Sequence, residues 1–205
     1  MEHIGIMKTN EKKIIMLARK RGLIRSKDLA ELNLPRITLT RLVKAGSLVR
    51  IGRGLYALPN RAPSEHGIIA EVAKRNPSAV VCLLSALRIH ALTTQSPFEV
   101  WLAIPSRARA PRSTEVQIRV TRFSANSMSA GVETKKIDGI EVRVTNIAKT
   151  LADCFKYRNK VGLDVALEAL RDALKSRRVK VDELWHFAGI CRVTNVLRPY
   201  LESIA

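Results

Sequence analysis

The spacing of apolar and polar residues predicts an ordered series of elements near the start of the chain. Helical spacing over residues 10–21 predicts a first helix, and Ser26, a residue type that caps helices, predicts the start of a short second one. A third helix is expected from Pro35 to Gly46. β-Forming residues on both sides of Gly52-Arg53-Gly54 predict a two-stranded hairpin over residues 48–58. Helix, short helix, turn, helix and hairpin in this order are typical of a winged helix-turn-helix.

The rest of the chain has a different pattern. Alternation of apolar and polar residues over 98–105 and 115–123 predicts strands, whereas the spacing is helical from Asn146 onward. The expected fold class is therefore α+β. A winged helix-turn-helix over residues 1–60 is followed by a mixed α+β domain, residues 61–205, whose C-terminal part is helical.

The charge of the chain predicts a polyanionic partner. There are 36 Lys and Arg residues against 18 Asp and Glu residues, a formal net charge of +18. Residues 1–60 contain 13 of the basic residues and 4 of the acidic ones. Because positive potential is concentrated where the helix-turn-helix is expected, duplex DNA is the predicted partner.

The third helix supplies the expected DNA-reading surface. At 100° per residue, Leu39, Leu42 and Val43 form an inward stripe, and an opposite face contains residues suited to base edges and phosphates. Arginines on the hairpin would contact phosphates or the minor groove. The candidate DNA contacts are Ser26, Lys27, Arg36, Ile37, Thr38, Thr40, Arg41, Lys44, Arg50 and Arg53.

A second basic cluster lies in the loop between the two predicted strands. It consists of Arg107, Arg109 and Arg112. The cluster is compatible with a solvated loop or with a second nucleic-acid contact, to DNA or to RNA.

The sequence gives less support to an enzymatic function. A metal-dependent nuclease would need converging carboxylates near a lysine, and no familiar spacing links the candidates, which are Glu99, Glu133, Asp138 and Glu141 with Lys135 or Lys136. The histidines have no local metal-ligand spacing. We therefore expect no catalytic residue, no metal site and no cofactor. The alternatives are a winged-helix protein with a nuclease domain and an RNA-binding regulator.

The cysteines and one lysine–aspartate pair are predicted to have structural roles. Cys82, Cys154 and Cys191 are predicted to be reduced core residues. Asp153 is expected to pair with Lys149, one turn earlier on the same helix, as a weak surface contact. The chain shows neither a secretory signal nor an apolar run long enough for a bilayer, which predicts a cytoplasmic protein.

Four stretches of the chain carry a family resemblance: "RLVKAGSLVRI", "RGLYALP", "LLSALRIHALTTQSPFEVWLAIP" and "VRVTNIAKTLADCF". They resemble the AbiEi-type antitoxins of bacterial abortive-infection systems, and the resemblance covers most of the chain. It implies a cytoplasmic repressor of its own operon, whose second domain neutralises a nucleotidyltransferase-like toxin encoded next to it, without a stable complex. Together with the basic winged helix, it predicts binding to inverted repeats, with two copies cooperating as a dimer on DNA.

Overall fold

The computed structural model describes residues 9–52, 54–60, 65–95, 98–111 and 116–204. Its internal contacts divide the chain into two compact units. Unit 1 contains residues 1–67 together with 136–141, and unit 2 contains residues 68–135 and 142–205.

Unit 1 consists of three helical segments and a small antiparallel sheet. In chain order the elements are α1 (Thr9–Arg21), β1 (Leu23–Arg25), a 3₁₀ helix (Ser26–Leu32), α2 (Ile37–Lys44), β2 (Val49–Gly52) and β3 (Leu55–Ala57). The strand order is β1-β3-β2, with β3 antiparallel to both neighbours. Ile14 and Ala18 of α1 and Leu39 and Leu42 of α2 meet in one apolar core. The three helical segments and the hairpin that the spacing predicts are therefore present, with bounds that differ by one or a few residues.

The end of α1 follows from Gly22. Its φ of +69° lies in the left-handed region, which L residues with a side chain rarely adopt, and its N–H donates to the carbonyl of Ala18 at 2.9 Å. This closes the last turn of α1 and directs the chain into β1.

Ser26 does not cap the 3₁₀ helix as expected; it is the first residue of that helix, and Arg25 is the N-cap. The physical reason is the pairing of β1 with β3, which places Arg25 opposite Leu55. The next N–H, that of Ser26, continues this pairing and donates to the carbonyl of Gly54 at 3.0 Å. The Ser26 hydroxyl donates to the same carbonyl at 3.3 Å, which directs it toward the hairpin.

After the hairpin, the chain forms a five-stranded mixed sheet and a set of helices. The elements are α3 (Gly67–Arg75), β4 (Val80–Val81), α4 (Leu83–Ile89), β5 (Glu99–Pro105), β6 (Gln117–Phe123), α5 (Ala125–Ser129), β7 (Val132–Ile137), β8 (Ile140–Thr145), α6 (Ile147–Lys156), α7 (Arg158–Val161), α8 (Leu163–Lys175), α9 (Val181–Cys191) and α10 (Thr194–Ile204). The strand order is β6-β5-β4-β8-β7. β4 is antiparallel to β5 and parallel to β8, and β5 is parallel to β6.

The second apolar core is built around α6. Every residue of this helix from Ala148 to Phe155 is buried, and α6 packs against α4, α8 and α9. Trp101 of β5 and Phe155 of α6 are fully buried in this core. The mixed α+β class with a helical C-terminal part is confirmed. None of the described helices combines the length and the apolar character that crossing a bilayer requires.

Burial of α6 overturns one expectation. The ion pair between Lys149 and Asp153 exists, but it is not a surface contact, because both side chains have 0% relative exposure. An i, i+4 spacing indicates that two side chains can meet, whereas their burial depends on the elements that cover the helix. Cys82, Cys154 and Cys191 are free thiols in the same core, as predicted.

Candidate nucleic-acid interface

The outward face of α2 forms the centre of the candidate interface. Thr40, Arg41 and Lys44 are exposed, and Ile37 is an exposed apolar side chain with 58% relative exposure. Leu39 and Leu42, on the other side of the same helix, are 1% and 2% exposed. The helical spacing thus sorts the side chains as expected: the apolar side holds α2 on the core, and the opposite side presents polar, cationic and methyl-bearing groups to solvent.

The residues that flank this face are not equivalent. Lys27 and Arg36 are exposed, but Thr38 is only 6% exposed. Its N–H donates to the carbonyl of Pro35 at 3.1 Å, in the turn that begins α2. This burial leaves Thr38 little surface for a DNA contact, so it is the least favoured residue of the candidate set.

The hairpin contributes Arg50 to the candidate interface. Its side chain is exposed, and its Nε donates to the carbonyl of Gly52 at 3.2 Å, so the guanidinium is partly oriented by its own strand. Arg53 lies outside the described residues. Ser26 is half-buried and joins the start of the 3₁₀ helix to Gly54 through two hydrogen bonds. Its position indicates a structural link between helix and hairpin.

The acidic residues of the 3₁₀ helix are engaged within unit 1. Asp28 is 4% exposed, and one of its carboxylate oxygens accepts from the Arg25 N–H at 2.9 Å. Arg21 lies within 4.0 Å of Asp28 and 3.7 Å of Glu31. These pairs reduce the effective negative charge close to the cationic elements of unit 1.

In unit 2, the arginine-rich loop is held by Arg122, a residue that the sequence pattern does not single out. Arg107 and Arg109 are exposed, whereas Arg112 lies outside the described residues. Arg122 of β6 donates from Nη1 to the carbonyls of Ser106 at 2.6 Å and Ala108 at 2.9 Å, with a longer contact to Pro105 at 3.4 Å. The alternation of β6 could have placed Arg122 on the outer face, but nothing local indicates its carbonyl partners.

A tyrosine and two lysines lie next to this braced loop. The Tyr157 hydroxyl donates to the Arg122 carbonyl at 3.4 Å, and the ring stacks on Phe123 with centroids 6.0 Å apart. The Nζ atoms of Lys156 and Lys160 lie 5.9 and 5.7 Å from the Tyr157 ring centroid. Burial raises the pKa of Tyr157 to about 12, so the phenol stays a neutral hydrogen-bond donor at neutral pH.

The carboxylates considered for a nuclease do not converge. Glu99 on β5 pairs with Arg119 at 2.9 Å, and Glu133 on β7 pairs with Lys135 at 3.5 Å. Asp138 lies between β7 and β8, and Glu141 is exposed on β8. Within the described ranges, no group of three or more His, Cys, Asp or Glu side chains is arranged to hold a metal ion.

His90 occupies a buried hydrogen-bonded position in unit 2. Its Nε2 lies 2.7 Å from the carbonyl of Thr145, and its Nδ1 lies 3.0 Å from Nζ of Lys135. Burial lowers the pKa of His90, which keeps the ring neutral. A neutral ring that donates from Nε2 can accept from the lysine at Nδ1. His90 is therefore a packed residue with both ring nitrogens engaged.

Comparison with known families assigns a class to the segment that carries the α2 face. Residues 12–59 match the family model described as "Transcriptional regulator, AbiEi antitoxin". The resemblance to AbiEi-type antitoxins that the sequence indicates is therefore confirmed over this segment. The matched segment covers less than half of the chain, so the resemblance in residues 61–205 stays a prediction.

Comparison with solved structures concerns the fold of nearly the whole chain. The crystal structure of the RV2827C protein from Mycobacterium tuberculosis is similar, with a TM-score of 0.57, 15% sequence identity, and coverage of 90% of this chain and 72% of that chain. At this identity the likeness describes the fold alone. No curated protein matches the chain.

Proposed function

We propose that unit 1 is a winged helix-turn-helix that binds duplex DNA, and that the chain is a transcriptional repressor of its own operon. The observation that carries this proposal is the coincidence of the family match with the exposed polar and cationic side of α2. Residues 12–59 match a regulator family, and the exposed side chains of α2 lie within that segment. The +18 charge of the chain supports the same partner.

Each proposed contact has a role that follows from its chemistry. Ile37 suits the methyl group of thymine, Arg41 suits guanine or a phosphate, and Thr40 suits either. Lys27, Arg36 and Lys44 supply phosphate contacts that set the register of α2 in the major groove. Arg50, and Arg53 beyond the described residues, contact phosphates or the minor groove from the hairpin, which acts as the wing.

The loop in unit 2 is proposed as a second nucleic-acid contact. Arg122 fixes the backbone at Ser106 and Ala108, so less conformational entropy is lost when Arg107 and Arg109 bind an anion. Arg112 is included in this proposal on the sequence alone.

The wider biological role rests on the resemblance. We propose that two copies bind inverted repeats in the promoter as a cooperative dimer, and that the second domain counteracts a nucleotidyltransferase-like toxin in the cytoplasm. The identity of the neighbouring reading frame tests this directly. A nucleotidyltransferase there supports the antitoxin role, whereas its absence contradicts that half of the proposal and leaves the DNA-binding half intact.

Fluorescence anisotropy with labelled duplexes tests DNA binding. The full chain should bind a duplex from its own promoter at least about a thousandfold more tightly than a shuffled duplex at moderate salt. Equal affinity for both duplexes contradicts sequence-specific repression. Tighter binding to structured RNA than to either duplex favours the RNA-binding alternative, and metal-dependent cleavage of the probe favours the nuclease.

Paired substitutions locate the binding surface. Arg41→Ala with Lys44→Ala should weaken promoter binding by at least about thirtyfold, since each lost contact costs about 1–3 kcal/mol. The matched control is Arg171→Gln with Lys175→Gln, which removes the same charge from the exposed side of α8. Equal losses in the two variants would show that binding depends on net charge and not on α2.

A further inference from the structure

The outward side of α1 carries a cationic arrangement that the proposed DNA contacts do not use. Met16 is 68% exposed, and Lys12, Lys13, Arg19 and Lys20 are exposed as well. Residues three and four positions apart are neighbours on a helix surface. Lys12 and Lys13 precede Met16 by four and three positions, and Arg19 and Lys20 follow it by three and four. Met16 therefore lies at the centre of four basic side chains.

The opposite side of α1 explains its attachment to unit 1. Ile14 and Ala18 are fully buried and share the core with Leu39 and Leu42 of α2. Since each helix turns its apolar side to this core, the outward side of α1 and the outward side of α2 are separate surfaces. Met16 is therefore exposed because it lies on the side of this amphipathic helix that faces away from the core.

We propose that this side of α1, the Met16 surface (Lys12, Lys13, Met16, Arg19 and Lys20), binds an acidic protein segment whose central apolar residue is flanked by carboxylates. An apolar centre with a polar rim is the usual anatomy of a protein–protein interface, and methionine is enriched there. The thioether is flexible and polarizable, so it adapts to an apolar partner. DNA phosphates offer nothing to a thioether, and they would use the four cations alone.

A designed peptide provides the probe. It is a helix-forming peptide with one Leu flanked by Glu residues three and four positions away on both sides, the charge complement of the Met16 surface. The full chain, labelled with ¹³C at the methionine methyl groups, reports binding through the Met16 resonance, with Met128 in unit 2 as an internal reference. We expect the Met16 resonance to shift on titration and the Met128 resonance to stay in place.

Substitutions on both partners separate the two parts of the surface. Met16→Ser, or the peptide with Ser for Leu, should weaken binding about fivefold, because an apolar contact is lost without a change in charge. Lys12→Gln with Lys20→Gln should weaken binding about tenfold at low salt, and the effect should shrink as salt rises. All substituted positions are exposed, and far-UV circular dichroism verifies that α1 remains folded.

Three results would overturn the proposal. The first is unchanged binding in Met16→Ser, since the apolar centre would then be irrelevant. The second is an equal loss in the charge-matched control Arg171→Gln with Lys175→Gln, since binding would then reflect net charge. The third is displacement of the peptide by shuffled duplex DNA with the same shift of the Met16 resonance, which would assign the surface to a DNA backbone. Promoter binding by Met16→Ser, measured separately, is expected to be unchanged, so the outcome does not depend on the proposed repressor function.

Discussion

Nζ of Lys149 lies 2.5 Å from Oδ2 of Asp153, and neither side chain is exposed to solvent. The other carboxylate oxygen of Asp153 accepts from the Cys191 thiol at 3.2 Å, and the ammonium lies 4.5 Å from the centroid of the Phe123 ring. Burial raises the pKa of the Asp153 carboxyl, and the nearby Lys149 ammonium opposes this change. The pair is thus an ionic element inside an apolar core, where each charge depends on the other.

Removing one member of this pair is expected to be costly. Lys149→Met keeps the volume but leaves Asp153 buried without its counter-ion, so the free energy of unfolding should fall by about 3–5 kcal/mol. Urea unfolding followed by circular dichroism measures the change. Lys149→Met combined with Asp153→Leu should recover most of the loss, because no unpaired charge remains. A double variant that is as unstable as the single one would contradict this account.

The buried pair also shows what can and what cannot be predicted from the sequence. The i, i+4 spacing is enough to predict that Lys149 and Asp153 meet, but a charged pair on a helix is usually solvated. Its burial follows from the packing of α6 against α4, α8 and α9, of which α4 and α9 are distant along the chain. Long-range packing of this kind cannot be predicted from the local pattern of apolar and polar residues.

A side chain at Gly54 should destabilise unit 1. Gly54 has a φ of +69°, and a Cβ there would lie 3.1 Å from Oγ of Ser26. Gly54→Ala therefore combines backbone strain of about 1–2 kcal/mol with a close contact. Gly46→Ala is the matched control, because Gly46 has the same φ and open space around it. Chemical denaturation should show a larger loss for Gly54→Ala, and Ser26→Ala should remove part of the difference; equal losses would contradict the contact.

A side chain at Gly189 should have the opposite effect. Gly189 lies inside α9, and a Cβ there would meet no atom within 4 Å. Gly189→Ala should raise the free energy of unfolding by about 0.5–1 kcal/mol, since alanine has the higher helix propensity. A shift of the urea midpoint at constant slope measures the gain, and a decrease would show that α9 needs glycine for another contact.

The hairpin arginines should act on all DNA sequences alike. Arg50→Ala with Arg53→Ala removes two proposed phosphate contacts, so affinity should fall for promoter and shuffled duplexes together. The slope of log affinity against log salt should decrease by about two. Anisotropy titrations at several salt concentrations provide both values. An unchanged slope would exclude a phosphate-binding role for these arginines.

Stability should fall as the solution becomes acidic, because of His90. Its pKa is lowered from 6.5 in the folded chain, so the unfolded chain binds a proton first as pH falls. The contribution of His90 is present above about pH 6.5 and decreases below it, by up to about 1.4 kcal/mol per pH unit. The groups that face the ring are Lys135, Glu133, Arg178 and the carbonyl of Thr145.

His90→Gln tests the assignment, because glutamine can donate to the Thr145 carbonyl but does not titrate. Its unfolding free energy should depend less on pH between 7 and 5 than that of the parent chain. His186→Gln, at an exposed histidine, is the control for the substitution of an imidazole elsewhere in the chain. If both variants follow the parent chain, another group accounts for the acid sensitivity.

The elements that the sequence predicts well are those with strong local periodicity. The helical spacing of α1 and α2 and the glycines of the hairpin identify these elements within a few residues. β1 was missed because Leu23–Arg25 is too short for a periodic pattern and exists through its pairing with β3. In the candidate site, helical spacing sorts Arg41 and Lys44 to the outside, whereas the burial of Thr38 depends on how the preceding turn packs.

The three carbonyls around the Arg122 guanidinium affect how the net charge of this basic protein should be interpreted. A guanidinium that serves as internal scaffolding has fewer donors left for an outside anion, although it counts fully in any tally of charge. The affinity of this chain for polyanions should therefore depend on the cations that point outward from rigid backbone. The total number of its lysines and arginines overestimates that affinity.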